Sequence, residues 1–93
     1  MKRSLIREYI HDCAIILDDY SVAIELDHGQ NGSKIKAALA KASFSVMLGL
    51  YDECIVLFFV EKPKTPHDFK IRSIESKIIN FYKEKLNTEL FLI

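Results

Sequence analysis

The longest apolar run of the chain is CIVLFFV, residues 54–60. It is far shorter than the ~20 residues that a membrane-spanning helix requires, but it suits a strand that is covered on both faces of a sheet. Residues 20–27 alternate in character, and residues 34–50 follow with helical spacing. A strand–helix–strand unit of this length implies parallel pairing. The run therefore predicts the central strand of an α/β sheet.

The same two periods, 3.6 residues for a helix and two for a strand, predict the other segments. Thr65 and Pro66 resemble a helix start, and the stripe that follows ends near Leu86. The predicted elements are a helix over 3–12, strands over 13–17 and 20–27, a helix over 34–50 with Ser33 as N-cap, a strand over 54–60, a helix over 66–86 and a strand over 88–93. This α-β-β-α-β-α-β order predicts one small domain, residues 1–93, with a mixed sheet flanked by helices.

Composition limits the classes of protein. The chain has 93 residues, of which 49% are hydrophobic, with 13 basic and 13 acidic side chains. Because so small a domain buries only about 60–65% of its unfolded surface, this apolar content predicts a homodimer. The N-terminus lacks the apolar core of a signal peptide, and the two cysteines lack CxxC spacing, so we expect a cytoplasmic protein in a reducing compartment. We expect no membrane partner.

Two acidic side chains lie two residues apart in the second predicted strand. Strand periodicity places Glu25 and Asp27 on the same face, roughly 6–7 Å apart, with Val22, Ile24 and Leu26 on the other. With Asp19 as third ligand, or Asp18 as the next choice, these carboxylates predict a Mg²⁺ site that activates a water for attack on a phosphodiester. In the alternative interpretation, the pair is the solvent-exposed face of an edge hairpin.

The order of these elements resembles the PD-(D/E)xK nuclease superfamily over residues 3–61. In that family an acid on the first helix, an Asp on an early strand and the Glu of Glu-x-Lys bind the metal. The resemblance thus implies a restriction endonuclease-like fold with Glu8, Asp19 and Glu25 as ligands. The segment IELDHG, followed by a lysine-rich helix, is also similar to plasmid replication-relaxation proteins, which share this fold.

The family lysine is replaced by Asp27 in this chain. Some members carry the lysine on the following helix, which implies Lys34 or Lys36 as the catalytic, charge-stabilising group. Other members have lost activity and serve as structural or DNA-binding domains. The resemblance therefore implies a Mg²⁺-dependent DNA nuclease or a degenerate, nuclease-like DNA-processing protein. The alternative function is a non-enzymatic dimerisation, interaction or regulatory module, which the neutral net charge favours.

The remaining polar residues bear on other ligands. The histidines and cysteines lack the paired spacing of a zinc site, and HGQNGS matches no phosphate-binding loop, so we expect neither zinc nor a nucleotide cofactor. For phosphate contacts with DNA the candidates are basic residues on or before the two long helices. They are Lys34, Lys36, Lys41, Lys62, Lys64, Lys70 and Arg72. The phenylalanines are expected in the core or in a dimer interface.

Overall fold

A four-stranded mixed sheet with two helices on one face makes up the part of the chain that the computed structural model describes, residues 13–61 and 71–93. Its elements are β1 (Cys13–Ile16), β2 (Ser21–Gly29), α1 (Gly32–Met47), β3 (Glu53–Val60), α2 (Ser73–Leu86) and β4 (Thr88–Leu92). The α/β class and the mixed sheet are confirmed. The order of these elements, β-β-α-β-α-β, differs from the predicted one, because the helix predicted over 3–12 lies outside the described residues. Neither α1 nor α2 is long and apolar enough to cross a membrane.

The central position of β3 is confirmed. In the sheet order β1-β2-β3-β4, β3 pairs in parallel with both neighbours, and β1 is antiparallel to β2. Alternate β3 side chains Cys54, Val56 and Phe58 are fully buried beneath the helices. Phe59, on the other face, is 42% exposed. The expectation that both faces are covered therefore holds for only one face within the described residues.

Helix α1 begins at Gly32, two residues earlier than predicted. Asn31, and not Ser33, is the N-cap, and its side-chain oxygen accepts a hydrogen bond from the Lys34 N–H at 3.2 Å. The helix ends at Met47 instead of Leu50 because Gly49 adopts a positive φ of 74°, which a helix cannot continue through. The interior face of α1 is rich in alanine, and this lets the helix approach the sheet closely.

Helix α2 begins later than predicted. Ile71 and Arg72 are described and are not helical, and Arg72 has an extended backbone. The Arg72 N–H donates to Glu75 Oε1 at 3.0 Å, and its guanidinium donates to Oε2 at 2.8 Å. These two bonds satisfy the helix start at Ser73 and stop its extension towards the N-terminus. The predicted start at Thr65 and Pro66 lies in the undescribed segment 62–70.

The hydrophobic core lies between the helices and one face of the sheet. Ile35, Leu39 and Ala42 of α1 pack on Ala23 and on the buried side chains of β3. From α2, Ile79 and Tyr82 add to the margin of this core. The core-facing positions of β2 are therefore the odd-numbered ones.

Candidate functional site

The two acids of β2 share one face, as strand periodicity predicts. Glu25 pairs in register with Val56 and Asp27 with Phe58, whose side chains point to the helices. Both acids are half-buried. The interpretation of Glu25 and Asp27 as a solvent-exposed face of the hairpin is thus wrong. They lie on the helix-covered face, towards the carboxyl end of the strand.

The surroundings of Glu25 include a buried thiol. Burial raises the pKa of Cys54 to about 12, with a smaller increase from the Glu25 carboxylate and a decrease from a hydrogen bond to Ser45. A thiol with so high a pKa stays protonated at neutral pH, so Cys54 is not an activated nucleophile. Asp27 Oδ1 accepts the backbone N–H of His28 at 2.8 Å, which occupies part of its ligating capacity.

The two lysines proposed for charge stabilisation point to different neighbours. Lys34 lies beside Gly29, where even a Cβ on the glycine would come within 2.6 Å of the Lys34 Cβ. Lys34 is therefore at the same end of β2 as Asp27. Lys36 instead lies near Glu75, whose pKa is lowered first by hydrogen bonds from Arg72 and also by the charge of Lys36.

The remaining predicted ligands are not gathered at this pair. Asp18 and Asp19 are exposed in the turn before β2, and the strand from Ser21 to Glu25 alone spans about 13 Å. Glu8 lies outside the described residues. Within 13–61 and 71–93, no three His, Cys, Asp or Glu side chains are close enough to hold a metal ion. The expected cluster of Asp19, Glu25 and Asp27 does not form there.

A cleft of about 270 Å³ lies at the carboxyl end of β2 and the start of α1. Its lining residues are His28, Gly29, Gln30, Asn31, Lys34 and Glu61. His28 Nδ1 and Glu61 Oε2 are 2.8 Å apart, and both side chains are solvent-exposed. The cleft is shallow and polar, and two of its three ionisable groups already pair with each other.

The sheet face opposite the described helices is apolar. The register places eight apolar side chains there. They are Ile15, Val22, Ile24, Leu26, Ile55, Leu57, Phe59 and Phe91, and we call this surface the open face. Leu26 is 50% exposed and Phe91 47%, and both described helices pack on the other side of the sheet. Exposed apolar surface of this kind is characteristic of interaction sites.

Polar groups on this side of the sheet lie around the apolar centre and have partners. The Tyr20 hydroxyl donates to Glu53 Oε1 at 3.0 Å, and this bond is the main reason that the pKa of Tyr20 is raised. Glu89 lies 3.5 Å from the ammonium group of Lys83. The centre of the open face is therefore free of charged side chains, while its margin is polar.

Strand periodicity alone does not reveal which face of β2 the helices cover. In the structure the small Ala23 is the buried residue, and Leu26 is exposed. Small side chains on the helix-facing side were the available signal, because alanine-rich α1 requires small partners to approach the sheet. No sequence pattern predicts the buried contact between Glu75 and α1.

No protein-family model matches the chain, and no curated protein or solved structure matches it. The resemblance to PD-(D/E)xK nucleases therefore stays a prediction.

Proposed function

We propose that this chain is a non-enzymatic interaction module that docks on an apolar surface of a second polypeptide through its open face. The observation that carries this proposal is the exposure of Leu26, Phe59 and Phe91 at the centre and edge of a sheet. Full burial of a side chain of this size is worth about 1.5–3 kcal/mol of transfer free energy, and these side chains, roughly half exposed, forgo about half of it. A partner that covers them recovers this free energy.

Radical footprinting of side chains in intact cells and in dilute purified protein tests the proposal. We expect Leu26, Phe59 and Phe91 to be labelled less in cells than in the dilute sample, because the partner excludes water. Met47 and Leu48, equally exposed but at the end of α1, are the matched controls and should be labelled equally in both. Equal labelling of the open face in the two samples contradicts the proposal.

A metal-dependent, nuclease-like role in DNA processing is the second candidate. It is favoured by the shared face of Glu25 and Asp27 and by the position of Lys34 at the same end of β2. Mg²⁺ can bind through only one or two carboxylates when waters and phosphate oxygens complete its shell. In this role the two acids hold the ion and Lys34 stabilises charge on the phosphate.

Thermal unfolding with and without Mg²⁺ or Mn²⁺ tests the second candidate without a known substrate. A cation that binds the native state raises the Tm of the unmodified protein by mass action. Glu25→Gln should remove that increase, whereas Glu84→Gln, an exposed acid on α2, should retain it. Absence of any metal-dependent shift, together with no cleavage of duplex, single-stranded or branched DNA, excludes this role.

A further inference from the structure

The chemistry of the open face is self-complementary. Its centre carries aliphatic side chains on β2 and β3, and its charged neighbours Glu53 and Glu89 already have partners within the chain. A surface of this kind does not select a strongly charged ligand, and an uncharged apolar centre with a polar rim is the usual composition of a dimer interface. When a two-fold axis relates two copies, the same patch meets itself and no charge is buried without a partner.

The size of the face is sufficient for a weak, specific dimer. Four strands spaced about 4.8 Å apart and about six residues long give a footprint of roughly 400 Å². The accessible area of a corrugated surface exceeds its footprint. The area that each copy buries therefore approaches ~600 Å², the low end of the range per partner in specific interfaces. A patch this large is at the upper limit for a chain that remains monomeric.

Residues 1–12 are one alternative occupant within this chain. They hold five apolar side chains, Met1, Leu5, Ile6, Tyr9 and Ile10, against the eight on the open face. The helix that the sequence predicts over 3–12 would be about 10 Å wide, which is about half the width of a face roughly 19 Å across. A second sheet, in contrast, matches the face in both dimensions.

We infer that the partner of the open face is a second copy of this chain, and this inference rests on the proposed function. The two sheets pack face to face about 10 Å apart, with their strands within about 30° of alignment. The axis passes near β2 and β3, the middle strands, so that Leu26, Ile55 and Leu57 of each copy form the centre of the interface. The helices lie on the outside of the dimer.

Sedimentation equilibrium of the full 93-residue chain over a wide concentration range tests the inference. We expect reversible association to twice the 10.7 kDa of one chain. Leu26→Glu should weaken this dimer by roughly 100-fold or more, because it places an unpaired carboxylate in a buried apolar centre. The matched control is Met47→Glu, which alters an apolar residue 58% exposed on α1 and should dimerise like the unmodified chain.

Circular dichroism confirms that each variant is folded. If Leu26→Glu fails to fold, Phe91→Glu on the edge strand β4 takes its place. Equal weakening by the control and the face variant overturns the inference.

A chain that stays monomeric at all concentrations also overturns the inference. In that case, if the face is protected from labelling in cells but not in the dilute sample, the proposed function stands and the partner is a different protein. Protection in the dilute monomer as well shows that another segment of the same chain covers the face, and this excludes both proposals.

Discussion

The carboxylate of Glu75 lies so close to Gly32 that a Cβ on the glycine would overlap it. Gly32 is the first residue of α1, and Glu75 is in the first turn of α2. Glu75 is only 3% exposed, and both of its oxygens accept hydrogen bonds from Arg72. The contact therefore joins the starts of the two helices, beside the carboxyl end of β2.

Gly32→Ala is expected to destabilise the protein by about 1–3 kcal/mol, the usual cost of overpacking a filled site. The added methyl group must displace a carboxylate that Arg72 holds in place. Ser33→Ala, one residue further along and exposed, is the control. Urea unfolding gives the free energy of unfolding for each protein, and a Gly32→Ala variant as stable as the control would show that the two helix starts can separate freely.

The stability of the fold should fall in acid through Glu75. Hydrogen bonds from Arg72 lower the pKa of Glu75 below its ordinary value of 4.5. Because the native pKa lies below the unfolded one, the ionised group stabilises the fold above about pH 4.5, and this stabilisation is lost as the pH falls through the native pKa.

Urea unfolding between about pH 3 and pH 7 measures this effect. Glu75→Gln should show a smaller loss of stability in acid than the unmodified protein, and Glu84→Gln should show the unmodified dependence. If Glu75→Gln and the unmodified protein have parallel pH profiles, the Arg72–Glu75 pair does not contribute to acid sensitivity.

Asn31→Ala should cost about 1 kcal/mol of stability, because it removes the side chain that caps α1. Ser33→Ala should cost much less, since Ser33 lies within the first turn and does not cap. The free energies of unfolding of the two variants decide which residue is the N-cap. A larger loss for Ser33→Ala would restore the assignment that the sequence alone suggested.

The sequence was sufficient to predict the features that depend on local pattern. The continuous apolar run at 54–60 predicted a central parallel strand, and β3 has that position. Period two correctly placed Glu25 and Asp27 on one face. These predictions succeeded because the direction of a strand side chain follows from its position alone.

Features that depend on distant partners were not predictable in the same way. Apolar residues occupy both faces of β3, so the pattern does not reveal which face the helices cover. The start of α2 depends on the pairing of Arg72 with Glu75, and an Arg at this position is not a recognised N-cap signal. Asp19 belongs to the hairpin turn, and the length of β2 separates it from the acid pair.

The two cysteines should differ in reactivity. Cys13 is exposed and Cys54 is buried, and burial raises the pKa of the Cys54 thiol to about 12. In dilute native protein at mildly alkaline pH, a thiol reagent should therefore modify Cys13 quickly and Cys54 only after denaturant is added. Two rapidly reacting thiols in the native state would show that α1 does not seal the core over β3.

The central claim, that a second copy covers the open face, is tested most directly by methyl NMR spectra recorded over a dilution series. We predict concentration-dependent shifts for the methyl groups of Leu26, Ile55 and Leu57, with little change for Ile35 and Leu39 in the core beneath α1. The shifts of all affected methyl groups should follow one dissociation constant. Spectra that do not change with dilution, or shifts confined to Met47 and Leu48 at the end of α1, would contradict the account.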